Sequence, residues 1–183
     1  MIETSRLLLR DWRDSDHEPF YRITSDPRVM EYFPAPLSRP ESDALIARIQ
    51  AHQQQHGFTF FAAELRATAE FIGFIGMLHT PFESHFTPCV EIGWRLGPEF
   101  WGQGLATEGA QAVLRFGFDE LKLPEIVALT VPANRRSRRV MEKLGMTCNP
   151  GDDFDHPRLP PGHPLRPHVL YRIRRDARYH EDV

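Results

Sequence analysis

Hydrophobic positions along this chain recur with two different periods, and the points where the period changes divide it into elements. Leu7, Leu8 and Leu9, followed by Asp11 and Trp12, read as a first strand. Asp14-Ser15-Asp16 supplies N-cap chemistry for a helix carrying Phe20, Tyr21 and Ile23, and Asp26-Pro27 ends it. Ser38 with Glu41 three residues later is a capping box, opening a second helix with Leu45, Ile46 and Ile49 inward and Gly57 as its stop. The period then changes. Residues 58 to 65 and 70 to 78 are rich in Phe and Ile around a short polar turn, which predicts two antiparallel strands.

Residues 90 to 96 alternate cleanly: Val90, Ile92, Trp94 and Leu96 share one face of a strand, and Glu91, Gly93 and Arg95 share the other. After the Gly97-Pro98 break, Ala106, Ala110, Val113, Leu114, Phe118 and Leu121 recur at helical spacing, so a helix begins near Leu105 and ends at Lys122 to Pro124. Ile126 to Val131 predict a short buried strand. Asn134 caps a helix whose inner stripe is Ser137, Val140, Met141 and Leu144, closed by Gly145. Six prolines between Pro150 and Pro167 predict a long loop before a last strand at His168 to Arg174. The elements predict one mixed α/β layer structure, and no repeat or composition shift divides residues 1–183 into more than a single domain.

Composition narrows the functional classes. With 41% hydrophobic and 26% charged residues the chain reads as an ordinary globular protein. No apolar run approaches the roughly 20 residues of a membrane span, and Met1 to Arg6 lack a signal-like apolar stretch, so a cytoplasmic location is expected. A net charge of -3 gives no general case for nucleic acid or an anionic membrane as partner. Cys89 and Cys148 form neither a disulfide framework nor a metal-ligand pair and read as small buried residues.

The chemistry concentrates in Trp101-Gly102-Gln103-Gly104-Leu105-Ala106-Thr107, between a strand and the start of a helix. Unpaired N–H groups and the positive end of the helix dipole converge there, and glycines let a phosphate approach the backbone. Gly-x-Gly also serves simple turns, so the motif alone leaves both readings open. Gly97-x4-Gly102 has the spacing of a P-loop but Gln103 and Gly104 where Lys and Ser/Thr are required. The dinucleotide fingerprint needs a third glycine where Thr107 stands.

Blocks along nearly the whole chain resemble the GNAT acetyltransferases, in particular the branch like the ribosomal-protein N-terminal acetyltransferases RimJ and RimL. These are Thr4-Ser5-Arg6-Leu7-Leu8-Leu9-Arg10, Ser25-Asp26-Pro27 with Val29-Met30, Glu91-Ile92-Gly93-Trp94 followed by Trp101 to Glu108, and Asn134-x-x-Ser137 through Met146. The resemblance implies a mostly antiparallel central sheet with helices on both faces and a splayed strand pair at the cofactor site. It implies acetyl-CoA as cofactor and a primary amine as acceptor, either a protein N-terminus or a small molecule. It further implies that Trp94, Arg95 and Leu96 line the pantetheine arm, backbone groups of Trp94 and Leu96 pairing with it. It implies as well that Gly102, Gln103, Gly104, Leu105, Ala106 and Thr107 hold the pyrophosphate and that the Asn134 side chain contacts the pantetheine region. A homodimer is one assembly it allows.

Amine acetylation needs a base for the ammonium proton, a donor for the oxyanion and an acid for the leaving thiolate. Glu91 is the candidate base, on the strand expected to carry the cofactor, where burial would raise its pKa. Ser137 either serves the thiolate or bonds its own helix. Some GNAT enzymes place a catalytic Glu on the strand where this chain reads Leu129-Thr130-Val131, so a water-mediated base, or no dedicated base, is also open. Trp101 stands where generic members carry Arg or Gln. Arg135, Arg136, Arg138 and Arg139 read as a solvated helix face. Asp152, Asp153, Asp155, His156, His163 and His168 lack the spacing of a metal motif, so no metal is expected; the segments 30 to 40 and 150 to 168 are read as shaping the acceptor pocket, with His168 and Tyr171 as acid or base candidates. The competing functions are a non-catalytic acyl-CoA sensor and a metal hydrolase.

Overall fold

A computed structural model describes residues 1–175, which form two compact units interleaved along the chain. Met1–Leu78 and Gly93–Val113 make the first; His79–Ile92 and the chain from Leu114 onward make the second.

The first unit begins with β1 (Ile2–Glu3) and β2 (Leu7–Arg10), followed by α1 (His17–Ser25) and α2 (Arg39–His56). It continues through β3 (Phe60–Leu65), β4 (Glu70–His79) and the last four residues of β5 (Val90–Leu96), and ends in the first part of α3 (Leu105–Asp119). β1, β2, β3 and β4 pair antiparallel in that order. The two faces of this sheet carry different helices. Trp12, Phe20, Ile46, Ile49, Ala62 and Phe74 form a buried cluster beneath α1 and α2. On the opposite face α3 comes so close that a Cβ on Gly109 would stand 2.4 Å from Ile75 Cδ1 and 3.2 Å from Leu7 Cδ1. The alternation of Phe74 and Ile75 along β4 is what serves both layers.

The predicted capping box of α2 is present: Glu41 Oε2 accepts from the Ser38 backbone N–H at 2.8 Å. Asp16 stands at the predicted N-cap position but acts differently. Residues 14–16 form a short 3₁₀ turn, and Asp16 makes no side-chain cap bond at α1. Instead its carboxylate accepts from Arg10 Nη1 and Nη2 at 2.7 and 2.9 Å, and from the Arg13 backbone at 2.8 Å. Arg10, Asp16 and Glu64 are all buried, so this bidentate pair with Glu64 on Arg10 Nε at 2.6 Å neutralises a charge that would otherwise be costly.

The second unit contains the first three residues of β5, then the end of α3, β6 (Glu125–Thr130), α4 (Arg135–Lys143), β7 (Thr147–Cys148), β8 (Phe154–Asp155) and β9 (Pro167–Arg174). β5 is parallel to β6 at one register position, Glu91 opposite Val127. β6 pairs antiparallel with β9 along its whole length, and β7 and β8 add to β9. Phe86, Val127 and Leu170 are the buried centre, with Phe82, Cys89, Leu129 and Phe154 against them. The proline-rich stretch thus contains one short strand, β8, which its composition concealed. Cys148 is exposed rather than buried, because β7 lies outside this apolar centre, and Cys89 is half-buried. No helix among the described residues is long and apolar enough to cross a membrane. The observed class is the expected one, mixed α/β with a mostly antiparallel sheet.

Candidate functional site

In the first unit, β5 runs into the loop that opens α3. Within that unit residues 93–96 are the edge strand. The Arg95 carbonyl faces Gly73 of β4, where a Cβ would stand 2.0 Å from it, and the Gly97 N–H donates to Ile72 O at 3.0 Å. Alternation along a strand therefore turns the backbone groups of Trp94 and Leu96 towards the open edge. Leu96 O there accepts from the Trp101 indole Nε1 at 2.9 Å, which ties the loop to the strand.

Gly102 and Gly104 have φ of +74° and +79°, a conformation that side chains with a Cβ rarely adopt. A Cβ at Gly102 would meet nothing within 4 Å, and at Gly104 only Arg6 Nη2 at 3.6 Å. The glycines therefore set the backbone path and leave the concave side open. α3 starts at Leu105, and its first intrahelical bond recorded at this end is Glu108 N–H to Gly104 O at 3.0 Å. The N–H groups of Leu105, Ala106 and Thr107 precede that bond, as expected of a first helical turn. Gln103 uses its side-chain amide on Glu99 O at 2.8 Å, so its contribution to a ligand is main-chain.

A clamp that the sequence did not announce supports this loop. Arg6 donates through Nη1 to Gln103 O at 2.9 Å and through Nε to Glu108 Oε2 at 2.6 Å. Thr4 Oγ1, Ser5 Oγ and the Arg6 N–H converge on Glu108 Oε1 at 2.6, 3.0 and 2.9 Å. Burial alone would raise the Glu108 carboxyl, but the bonds from Thr4, Arg6 and Ser5 outweigh it and hold it at about 2. A carboxyl held below its ordinary value of 4.5 stabilises the fold above that value and loses the contribution as pH falls towards about 2. Glu108→Gln is accordingly expected to lower the melting temperature at pH 7, with the gap to the unaltered protein narrowing below about pH 4.5, as thermal unfolding followed by circular dichroism will read.

The second unit holds a different set of groups. Burial pushes the Glu91 carboxyl up to about 7, with the Arg158 guanidinium pulling the other way. Asn134 caps α4 as predicted: Oδ1 accepts from the Ser137 backbone N–H at 3.2 Å, and Nδ2 donates to Thr130 Oγ1 at 3.1 Å. Thr130 thus orients the Asn134 amide. Ser137 is half-buried, and its hydroxyl makes no hydrogen bond among the described residues, which separates it from a serine bonded to its own helix. Tyr171 is buried, accepting from Arg138 Nε at 3.1 Å and donating to Glu142 Oε1 at 3.3 Å. That Arg138 contact sets it apart from its exposed neighbours Arg135, Arg136 and Arg139. The His156 and His168 rings lie 5.0 Å apart. Burial, then His168 and Arg158, press His156 down to about 4, and burial lowers His168, whose Nδ1 lies 3.0 Å from Arg166 O.

Known proteins resemble this chain across most of its length. The family model described as an acetyltransferase (GNAT) domain matches residues 6–147. A Bacillus subtilis protein named uncharacterized N-acetyltransferase YnaD is 35% identical over 146 residues, covering 79% of this chain and 81% of its own. The FsC-acetyl coenzyme A-N(2)-transacetylase of Aspergillus fumigatus is 32% identical over 159 residues, 80% of this chain and 64% of its own. Among solved structures, an acetyltransferase (GNAT family) from Bacillus anthracis superposes with a TM-score of 0.78 at 31% identity, covering 96% of this chain and 98% of that one.

Proposed function

The chain belongs to the GNAT acetyltransferase family, a family of N-acetyltransferases, and on that premise we propose that it moves an acetyl group from acetyl-CoA to a primary amine by direct attack on the thioester. The observation that carries this reading is the left-handed pair Gly102 and Gly104 ahead of α3. The open space beside these glycines and the first-turn N–H groups suit a pyrophosphate, with Arg6 as the nearby cation on the loop. Gly102, Gln103, Gly104, Leu105, Ala106 and Thr107 hold that group, chiefly through the main chain. Trp94 and Leu96 meet the pantetheine arm along the open edge of β5, and Asn134 meets it through its amide. Arg95, grouped with the cofactor residues from the sequence, receives a different ligand below.

Acetyl-CoA supplies an activated acetyl group when bound. Glu91 takes the proton that the acceptor nitrogen must shed before and during attack, a role that its raised pKa suits near neutral pH. The Ser137 hydroxyl donates to the leaving sulfur. Tyr171 serves as a positioning residue for α4, since its hydroxyl is engaged with Arg138 and Glu142. The motif blocks support the RimJ/RimL-like branch, and the family match from residue 6 to 147 crosses both compact units, which supports reading the chain as one acetyltransferase domain; the cytoplasm is the location proposed for it.

Incubation with acetyl-CoA and a broad panel of peptide and small-molecule amines tests the proposal, with a thiol reagent reporting CoA. Release above the hydrolysis rate is expected with at least one amine. Release indistinguishable from hydrolysis across the panel overturns the catalytic reading and leaves the binding one.

A further inference from the structure

The first unit contains two arginines with buried guanidinium nitrogens, and it treats them oppositely. Arg10 has carboxylates on each nitrogen it presents to the interior. Arg95, on β5, buries Nε and Nη1 with no hydrogen-bond partner for either. Its guanidinium rests on the Phe33 ring, 4.2 Å from the centroid, and lies 5.5 Å from the centroid of Phe74. Aromatic faces offer a cation modest attraction and leave its N–H edges unsatisfied. Desolvation with no acid to offset it presses the Arg95 pKa down to about 10.

An uncompensated buried cation is destabilising, so the arrangement makes sense when a ligand supplies the missing anion. The side chain as a whole is partly exposed, so a ligand has access to it. Phe33 is itself 40% exposed and belongs to the stretch between α1 and α2, held by its own turn from Phe33 N–H to Met30 O at 2.9 Å. That stretch is the segment read from the sequence as shaping the acceptor pocket. The cofactor is a poor source of the anion, because its pyrophosphate is assigned to residues 102 to 107, its 3′-phosphate lies beyond that pyrophosphate on the nucleotide end, and the pantetheine arm assigned to this stretch of β5 is neutral. With Phe33 covering the guanidinium from one side, the unmet N–H donors suit an oxyanion held by hydrogen bonds, and with the cofactor's phosphates placed elsewhere a carboxylate is the anion an acceptor can bring.

We propose that Arg95 is the receptor for a carboxylate on the acceptor, so that the amine acetylated here is borne by an amino acid or an acidic peptide. This rests on the acetyltransferase reading above. Arg95 is then a specificity-determining residue, discriminating the acid from its amide by roughly 10- to 100-fold.

The test uses common amino acids each paired with its α-carboxamide, and aspartyl peptides each paired with the asparaginyl form. kcat/KM is read from CoA release for the unaltered protein and for Arg95→Met, which keeps an unbranched apolar stem. The acid of a used pair is expected to exceed its amide by the stated factor, and Arg95→Met to abolish that preference. CoA affinity by calorimetry is expected to stay the same, and the melting temperature to stay the same or rise, because an unpaired charge leaves the interior. Equal use of the amides, or a preference that survives in Arg95→Met, overturns the inference while leaving the acetyltransferase reading intact. A loss of CoA affinity in Arg95→Met also overturns it by moving Arg95 to the cofactor. Should no amine be acetylated, calorimetry with the N-acetylated acids and amides decides the matter separately. Binding of acid over amide that Arg95→Met removes supports the receptor, and absence of acid binding ends it.

Discussion

Glu91→Gln is expected to lower kcat/KM by roughly 100-fold, the scale on which a positioned general base contributes. The reason lies in the raised proton affinity of this carboxyl, brought to about 7 by burial against the opposing pull of Arg158. An ordinary Glu with a pKa of 4.5 would be a weak base towards an ammonium, whereas one near 7 is about half ionised at neutral pH and better matched to the transfer. In the unaltered protein kcat/KM should therefore rise with pH through about 7, and this limb should vanish in Glu91→Gln, leaving only the titration of the amine. Stability offers a second readout with its own sign. The folded state holds the Glu91 proton more tightly than the unfolded chain does, so stability is fully present below about 4.5 and lost as pH rises through about 7. Glu91→Gln should match the unaltered protein near pH 4 and melt higher than it above pH 7. A pH-rate profile unchanged by the substitution would remove Glu91 from the chemistry and leave a water-mediated base, and a melting gap independent of pH would show that the carboxyl is well solvated.

Substitution at Gly104 is expected to weaken CoA binding by about tenfold or more, since it intrudes where first-turn N–H groups face the pyrophosphate. Two effects must be separated, because Gly104 has a φ of +79°. Valine there both adds bulk to the loop beside Arg6, whose Nη2 would stand 3.6 Å from the new Cβ, and strains the backbone, the second by roughly 1–2 kcal/mol. Asparagine tolerates the left-handed region far better, so Gly104→Asn isolates the obstruction. The expected result is a similar loss of CoA affinity in both variants by calorimetry, with a lowered melting temperature mainly in Gly104→Val. Unchanged affinity in Gly104→Asn would displace the pyrophosphate from this loop.

The clamp on this loop explains why a short segment can hold a fixed shape. Arg6 and Glu108 lie 102 residues apart in the chain, yet their ion pair at 2.6 Å and the bond from Arg6 to Gln103 O brace the turn from outside. Trp101 braces it from the strand side through Leu96 O. The cradle is thereby preorganised, and its open side stays free of side chains.

Much of the fold was legible because its signals are local. The alternation of Val90, Ile92 and Leu96 marked β5, the capping box at Ser38 and Glu41 marked α2, and Asn134 marked the start of α4. Gly102 and Gly104 marked the left-handed turn ahead of α3. Two-residue strands such as β1, β7 and β8 were invisible, since two positions carry no period. Asp16 stands at the N-cap position of α1 and caps the preceding turn through the Arg13 N–H, but nothing nearby in the sequence announced Arg10 as its ion-pair partner, and Ser137 was placed on an inner stripe although it is half-buried.

The sequence by itself determined the order of elements, the glycine-built helix entry and the identity of the candidate groups, because periodicity, capping and backbone conformation depend on residues a few positions apart. Only the tertiary structure decided how those groups behave. Whether Glu91 holds a proton near neutral pH, whether Glu108 is locked in its charged form, and whether Arg95 is left with unmet donors all depend on desolvation and on partners distant in the chain. Two arginines of one unit make the point: Arg10 meets Asp16 and Glu64, Arg95 meets Phe33 and Phe74, and burial turns that difference in neighbours into a structural ion pair in one case and an open binding group in the other.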